Sequence, residues 1–218
     1  MKKKVVLITT GGTIASTRNN KNKLESGKLD GQAILSMCQL ENEMDIELID
    51  LYQIPSMHMT FENLNLLNQT IKNVFNDQSV SGIVITHGTD SLEETAYFLE
   101  LTIHDERPII VTGSQKSPGD IGTDVYSNLR NSLLVASNEE AKNIGVCVVF
   151  NEKIIHSKYV KKMHSSSING FGAIGYGMLG FIDNDEVIIY QKPTHKEVYE
   201  IKESYPAVEI VFAYLGAS

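Results

Sequence analysis

Short apolar runs alternate with amphipathic helical patterns from Lys4 to Phe150, and this alternation limits the possible folds more than any other feature. The apolar runs are five to seven residues long, which suits buried strands. We predict strands over Lys4–Thr10, Asp45–Leu51, Gly82–Thr86, Pro108–Thr112 and Ile144–Phe150. Strands that alternate with helices favour a parallel sheet covered on both faces. The sequence therefore predicts an α/β fold with a doubly wound, mostly parallel sheet flanked by helices.

The predicted helices are recognised by apolar spacing or by their start signals. Thr60 begins a helix whose apolar positions recur at steps of three and four residues: Leu64, Leu67, Ile71 and Val74. Ser91 and Glu94 fit a capping box for a helix that runs to about His104. Two further helices are predicted, over Asp30–Leu40 and Tyr126–Ser137.

The charge balance excludes several classes of protein. The chain has 19 Lys+Arg and 27 Asp+Glu, a formal net charge of −8, whereas nucleic-acid binders normally carry a basic surface. No apolar stretch approaches the ~18 residues of a membrane span. The apolar run after Lys4 is also too short for the core of a signal peptide. We therefore expect a cytoplasmic protein that binds neither nucleic acid nor membrane.

Cysteine and histidine usage indicates no metal site. The two cysteines, Cys38 and Cys147, form neither a disulfide framework nor a zinc-binding spacing, and we expect both to be buried thiols. The six histidines are scattered singly, without a metal-binding pair. A chain of 218 residues can bury a full core without such links.

The end of the chain predicts a change of domain. Ser165–Gly180 is rich in serine and glycine, which favours a mobile hairpin or lid. Residues 191–206 are charged and flanked by proline, and Val208–Tyr214 has the pattern of an apolar strand. We therefore expect a catalytic domain over 1–190, a linker over 191–206 and the truncated first strand of a second domain over 207–218. Alternatively, that strand joins the edge of the first sheet.

The loops after the predicted strands are the candidate site, because ligands of open α/β sheets bind beyond the carboxyl ends of the strands. Each of these loops supplies a hydroxyl: Thr10–Ala15, Ile54–Met59, His87–Ser91 and Gly113–Ser117. Thr13 follows two glycines and can act as a nucleophile if a base lies near. In the simpler interpretation, the glycines form only a tight turn.

Asp90 is the carboxylate of this group of loops. It can bind an ammonium group or orient a lysine that serves as a base, and in the simpler interpretation it only caps the following helix. His87 beside it is interpreted as a structural residue of the turn. The candidate lysines, which otherwise form a solvated face, are Lys158, Lys161 and Lys162.

Two long motifs, Thr10–Ala15 and Ile85–Leu99, begin 75 positions apart in the sequence. Together they resemble the paired signature of bacterial L-asparaginases and glutaminase-asparaginases. Further blocks are similar to the same family: Arg107–Ser114, Asp124–Leu129, Val146–Asn151 and Lys162–Gly180. The likeness covers essentially the whole chain and corresponds to the family's N-terminal domain, with its C-terminal domain largely missing.

The resemblance implies hydrolysis of L-asparagine to L-aspartate and ammonia, without a cofactor. It implies that Thr13 is the nucleophile and that Thr89, Asp90 and Lys162 form a proton relay. L-Glutamine is the other substrate that the family suggests. The resemblance also implies a homo-oligomer.

Substrate contacts are implied in the same way. Ser56 matches the family position that binds the α-carboxylate of the substrate, and Asp90 matches the one that binds its α-ammonium group. The carbonyl of Ser114 would hold the side-chain amide, and Gly88 and Thr89 complete the substrate-binding set.

The sequence departs from the family pattern at several positions. Leu24 stands where many members have a tyrosine, Met57 replaces a glutamine, Gln115-Lys116 replaces Met-Arg, and Val125 replaces a glycine. In the family's dimer, the second domain of the neighbouring subunit completes the site. We therefore expect weak or no turnover from this chain as it stands.

Three alternatives remain open at this point. The first is a glutamine-preferring amidohydrolase or a tRNA-linked amidotransferase relative, although the acidic chain counts against tRNA binding. The second is a non-catalytic module that binds asparagine, aspartate or a partner subunit. The third is a nucleotide-binding domain, which lacks support because neither GxGxxG nor the end of a P-loop is present.

Overall fold

The computed structural model describes residues 2–15, 17–18, 24–25, 35–36, 38, 40, 43–194, 197–202, 205–213 and 215–216. Its strands are β1 (Lys3–Thr9), β2 (Thr17–Arg18), β3 (Leu24–Glu25), β4 (Met44–Asp50), β5 (Val80–Thr86), β6 (Ile109–Thr112), β7 (Val146–Phe150), β8 (Lys153–His156), β9 (Val160–Lys162), β10 (Phe171–Ala173), β11 (Met178–Asp183) and β12 (Glu186–Ile189). Its helices are α1 (Phe61–Val74), α2 (Leu92–Thr102) and α3 (Val125–Ser137), with 3-10 turns at Thr13–Ala15, Ser56–His58 and Glu139–Ala141. All the strands predicted from Lys4 to Phe150 are present, and their ends differ from the prediction by at most two residues.

Eight strands form one mixed sheet in the order β12-β11-β8-β7-β6-β5-β1-β4. The strands β4, β1, β5, β6 and β7 run parallel, whereas β8, β11 and β12 extend the sheet in antiparallel pairs. The apolar side chains of α1 and α2 cover one face, and those of α3 cover the other. The predicted doubly wound α/β fold is confirmed, and the antiparallel extension is an addition that the sequence patterns did not predict.

Burial along the strands follows their place in the sheet. In β5, Ile83, Val84 and Ile85 are fully buried, because helices cover both faces of this central strand. In β4, at the edge, only Met44 is fully enclosed and the following residues are more exposed. The continuous aliphatic runs therefore fix the central strands.

The strand order brings the predicted loops to one edge of the sheet. β1 pairs with β4 on one side and with β5 on the other. After β4 the chain therefore crosses to the opposite side of β1, and open α/β sheets bind ligands at the point where the strand order switches in this way. Backbone hydrogen bonds join the loops there. The amide of Thr10 donates to Thr86 O (3.1 Å), that of His87 to Thr112 O (2.8 Å) and that of Ile54 to Thr10 O (3.2 Å). The segments after β1, β4, β5 and β6 therefore form one contiguous surface.

The two predicted helix starts have different outcomes. Thr60 caps α1, since its hydroxyl accepts the amide of Asn63 (3.3 Å) and the Asn63 side chain accepts the amide of Thr60 (3.1 Å). The capping box predicted for Ser91 and Glu94 is wrong, because Ser91 makes no side-chain cap. Its hydroxyl instead donates to the carbonyl of Ser56 at 2.6 Å. The Ser91 hydroxyl thus makes a tertiary contact at the candidate site and does not cap the helix.

The remaining predictions concern less regular parts of the chain. The helix predicted over Asp30–Leu40 lies mostly outside the described residues, of which Leu35 and Ser36 are helical. The segment Ser165–Gly180 contains β10, which forms a hairpin with β9, and its mobility stays a prediction.

The strand predicted over Val208–Tyr214 is wrong for residues 208–213, which form no strand and expose their side chains. Tyr214 lies outside the described residues. The physical reason is that none of the described strands runs alongside this segment, so its backbone has no ladder to join. The division into 1–190, 191–206 and 207–218 stays a prediction.

Candidate active site

The loops after β1 and β5 touch through their glycines. Gly12 has a φ of +89°, and a Cβ atom placed on it would lie 2.5 Å from the amide nitrogen of Gly88. Only a residue without a side chain allows this backbone conformation and this approach. The contact places Thr13 and Thr89, the next residue in each loop, at the same edge of the sheet. Thr13 begins the 3-10 turn Thr13–Ala15 and is partly exposed.

Ser56, which follows β4, packs against Gly88 in this contact. A Cβ atom on Gly88 would lie 2.6 Å from Ser56 Oγ, so the serine packs directly on that glycine. Ser56 Oγ accepts the backbone amide of Asp90 at 3.1 Å. Because the oxygen accepts this bond, the hydroxyl hydrogen of Ser56 can be donated to another acceptor.

Lys162 joins the site from β9. Its Nζ donates to Thr89 Oγ1 and to Asp90 Oδ1, both at 2.8 Å. Thr89 is buried, the Lys162 side chain is 18% exposed, and the Asp90 side chain is 61% exposed. An ion pair this open to water adds little stability, so the arrangement is of interest for its chemistry. Of the three candidate lysines, Lys162 is the one that the structure brings to Asp90.

The loop after β6 is held by a buried carboxylate. Asp124 accepts the backbone amides of Gln115 and Lys116, each at 3.0 Å. Ser114 is buried, and its hydroxyl donates to the carbonyl of Lys116 at 2.7 Å. The side chain of Ser114 is thus used inside its own loop, and the contact of its carbonyl with a substrate stays a prediction.

Asn128, from α3, links this loop to the next strand. Its Nδ2 donates to the carbonyl of Gly113 (3.0 Å) and to Asp124 (3.1 Å), and its Oδ1 accepts the amide of Asn151 (2.9 Å). Asn128 is fully buried. It fixes the spacing between the ends of β6 and β7.

His87 is a structural residue, as the sequence predicts. It is completely buried, and burial lowers its pKa to about 4, so the ring is neutral near pH 7. Its Nδ1 lies 2.7 Å from the carbonyl of Gly88 and its Nε2 lies 3.0 Å from Thr95 Oγ1. Because a carbonyl only accepts, Nδ1 carries the proton and Nε2 accepts the Thr95 hydroxyl. The ring therefore ties the Gly88 loop to α2.

Sequence reasoning missed two residues that hold the site together, Glu93 and Asp124. Glu93 lies in the first turn of α2, and its Oε2 accepts the backbone amide of Lys162 at 2.6 Å. Asp124 is the N-cap residue of α3, and in the sequence it stands out only as the first residue of a block similar to the asparaginase family. Acidic residues at helix starts are so common that they give no signal of a tertiary role.

Within the part of the chain that the structure describes, no group of three or more His, Cys, Asp or Glu side chains is arranged to hold a metal ion. No helix among the same residues is long and apolar enough to cross a membrane.

Comparison with known proteins identifies the family to which the chain is similar. Residues 4–195 match the family model of the asparaginase N-terminal domain. The chain is 50% identical over 215 residues to an L-asparaginase of Bacillus licheniformis. This alignment covers 99% of the chain and 67% of the relative. It is 33% identical over 224 residues to a glutaminase-asparaginase of Pseudomonas aeruginosa, covering 98% of this chain and 62% of that protein.

A solved structure is similar as well. The probable cytoplasmic L-asparaginase of Campylobacter jejuni superimposes with a TM-score of 0.80 at 33% identity, over 88% of this chain and 58% of that one. The chain thus spans about three fifths to two thirds of the length of these relatives. The matched region, 4–195, includes all the loops that form the site described above. Its sequence and its fold both show that the chain belongs to the asparaginase family and corresponds to the family's N-terminal domain.

Proposed function

We propose that the protein hydrolyses L-asparagine to L-aspartate and ammonia, with Thr13 as the nucleophile and Thr89, Asp90 and Lys162 as a proton relay. The observation that carries the proposal is the position of Lys162 Nζ, 2.8 Å from both Thr89 Oγ1 and Asp90 Oδ1. A hydroxyl, a carboxylate and an amine in contact provide a path for protons. Because the chain belongs to the asparaginase family, we connect this path with amide hydrolysis.

The direction of proton transfer follows from the hydrogen bonds. Thr89 Oγ1 accepts from Lys162, so its own hydrogen can be given to an atom of the substrate. When Thr13 Oγ1 bonds to the carboxamide carbon, the C–N bond breaks and the leaving nitrogen takes the proton of Thr89. The Lys162 ammonium group then gives a proton to Thr89 Oγ1, and the Lys162 amine takes up the proton that the Thr13 hydroxyl has lost, which restores the relay. Water then hydrolyses the aspartyl ester, which frees Thr13.

Polar groups at the strand edge suit both ends of an amino acid. The exposed carboxylate of Asp90 offers a partner for the α-ammonium group, and the free hydroxyl hydrogen of Ser56 offers one for the α-carboxylate. The carbonyl of Ser114 would accept from the side-chain amide. Gly88 is the remaining member of the proposed substrate-binding set, and its lack of a side chain lets Ser56 and Gly12 pack directly against its backbone. The reaction written in this way uses no cofactor.

L-Glutamine is the second candidate substrate. The relative from Pseudomonas aeruginosa carries the name glutaminase-asparaginase, and it is 33% identical to this chain. One more methylene group in the substrate changes binding by only about 1–3 kcal/mol, so activity on both amides is compatible with one site.

The location and assembly of the protein are also proposed. The structural neighbour from Campylobacter jejuni is named as cytoplasmic, whereas a relative from Haemophilus influenzae is named as periplasmic. We place this protein in the cytoplasm, with a small-molecule substrate and no nucleic-acid or membrane partner. The homo-oligomer implied by the family is tested by sedimentation velocity over a range of concentrations.

The test measures the chemistry of Thr13 directly. The 218-residue chain is mixed with excess L-asparagine or L-glutamine, ammonia release is followed, and acid-quenched samples are analysed by intact mass for an acyl adduct. Thr13→Ala should abolish the adduct, and Thr89→Val should slow ammonia release by about 10²- to 10⁴-fold. Thr70→Ala, on α1, is the matched control and should behave as the wild type.

The outcomes separate the proposal from its alternatives. Slow turnover with an adduct on Thr13 supports the proposal even if the chain is a weak enzyme. Binding of L-aspartate in calorimetry, with neither adduct nor ammonia, would instead indicate a non-catalytic binding module. Turnover that persists in Thr13→Ala would refute the assigned nucleophile.

A further inference from the structure

Glu93 connects the start of α2 to β9. Its Oε2 accepts the backbone amide of Lys162 at 2.6 Å, and its Oε1 pairs with Nζ of Lys161. The Glu93 side chain is 14% exposed, so most of the carboxylate is enclosed between these two elements. The same helix start carries Thr89 and Asp90 in the residues just before it. One carboxylate therefore joins the two parts of the chain from which the relay is built.

This connection matters because β9 does not belong to the main sheet. β9 is three residues long and pairs only with β10 among the described strands, so Val160 packs on the core but no ladder of the main sheet fixes the backbone of Lys162. The side chain of Lys162 has a flexible four-carbon stem, and its ammonium group can reach many points if the backbone moves. A hydrogen bond from a backbone amide to a carboxylate is stronger than a neutral one. Glu93 thus fixes the Lys162 backbone where the sheet cannot.

We propose that Glu93 is a positioning residue for the relay, which holds the backbone of Lys162 so that its Nζ reaches Thr89 and Asp90. This inference rests on the function proposed above. Glu93 touches neither the reacting groups nor the ammonium group of Lys162 in the structure, so it acts through Lys162.

Lys161 is the second partner of the Glu93 carboxylate. The hydrogen bond and the charge of Glu93 raise the pKa of Lys161, and the positive charge of Lys161 balances the carboxylate. The two neighbouring lysines have separate tasks: Lys161 neutralises Glu93, and Lys162 serves Thr89 and Asp90. Because Glu93 is already paired with Lys161, it does not draw the Lys162 ammonium group away from the site.

Other contacts keep the β9–β10 hairpin folded when Glu93 is removed. The ladder joins Phe171 to Lys162 and Ala173 to Val160. At the turn of the hairpin, the side chain of Gln115 donates to the carbonyl of His164 at 3.3 Å. We therefore expect substitution of Glu93 to move Lys162 without unfolding the protein.

The first experiment compares substitutions in kinetics of ammonia release. Glu93→Ala should lower kcat by about 10- to 100-fold, as for a displacement near 1 Å, and change KM by less than about threefold. Glu93→Gln keeps an oxygen that accepts the Lys162 amide and should recover most of kcat. Glu94→Ala is the matched control, because Glu94 is exposed in the same turn of α2, and it should match the wild type.

The second experiment does not depend on turnover. Competitive labelling of lysine amines, read by mass spectrometry, reports whether Nζ of Lys162 is held by its partners. In Glu93→Ala the labelling of Lys162 should rise relative to Lys72 and Lys192, whereas Glu93→Gln and Glu94→Ala should retain the wild-type ratio. If the wild type shows no turnover, the proposed function fails or the chain needs a further part, and the labelling still tests Glu93.

Two results would overturn the inference. One is a Glu93→Ala variant whose Lys162 labels as slowly as in the wild type. The other is a loss of kcat that is equal in Glu93→Ala and Glu93→Gln, because the amide-accepting oxygen would then be irrelevant.

Discussion

Gly12→Ala tests directly whether the two threonine loops are held together by backbone contact. The added Cβ atom would lie 2.5 Å from the nitrogen and 2.6 Å from the Cα atom of Gly88, where an ordinary van der Waals contact is 3.4–4 Å. The loops must therefore separate by about 1 Å to accept one methyl group. The φ of +89° adds strain, because residues with side chains rarely adopt it.

The energetic cost combines both effects. A positive φ in a residue with a Cβ atom costs roughly 1–2 kcal/mol, and overpacking typically costs 1–3 kcal/mol. We expect Gly12→Ala to lower the free energy of unfolding by about 2–5 kcal/mol, with about 2–4 °C of Tm lost per kcal/mol in a domain of this size. Because Thr13 and Thr89 would also move apart, ammonia release should fall by about 10²-fold.

Urea denaturation and an ammonia assay measure the two effects on the same preparation. Gly119→Ala is the matched control, since a Cβ atom there has no neighbour within 4 Å and the φ is not in the left-handed region. If Gly12→Ala unfolded within 1 kcal/mol of Gly119→Ala and kept full activity, the loops would not be in contact as described. The reasoning about the shared strand edge would then be refuted.

Two further predictions concern stability. The folded pKa of His87 is about 4 against an ordinary value of 6.5, so the unfolded chain takes up a proton first as the pH falls. About 3 kcal/mol of stability, fully present above pH 6.5, should be lost between pH 6.5 and 4, and urea denaturation of His87→Gln at several pH values should show a smaller loss. Asn128→Leu leaves Gly113 O and the Asn151 amide unpaired in the core and should cost about 2–4 kcal/mol, whereas Asn73→Ala, exposed on α1, should cost less than about 0.5 kcal/mol. Equal denaturation midpoints for these two variants would contradict the role of Asn128.

The sequence predicts the central fold well because its central strands are continuous aliphatic runs separated by periodic helices. It does not predict β8, β11 and β12, which join the sheet in antiparallel pairs without helices between them. Their turns, Asn151–Glu152 and Asn184–Asp185, have positive φ at both central residues, which matches the two-residue turns of tight hairpins. Asn-Gly would have been a clear signal for such a turn, and Asn-Glu and Asn-Asp are weaker ones.

The candidate site likewise has residues that the sequence pattern predicts and one that it does not. Thr13, Ser56, Thr89 and Ser114 each follow a strand of the parallel sheet, so the rule that strand ends meet at one edge is enough to group them. Lys162 follows no such rule, because β9 lies outside the sheet, and the three neighbouring lysines cannot be distinguished by pattern. The family resemblance selected Lys162, and the contacts with Thr89 and Asp90 place it in the site.

The two ways of placing site residues have different physical consequences. Residues at strand ends are held by the ladder and by the buried core beneath it, so a change that moves them, such as Gly12→Ala, must also lower stability. Lys162 is held outside the main sheet, by the β9–β10 ladder and by the Glu93 carboxylate, so loss of Glu93 can change its position at little cost in folding free energy. Stability and activity should therefore fall together when the strand-end loops are altered and separate when Glu93 is altered. That separation follows because the proposed nucleophile and substrate contacts lie at the strand ends of the sheet, whereas the Lys162 amine comes from a hairpin outside it.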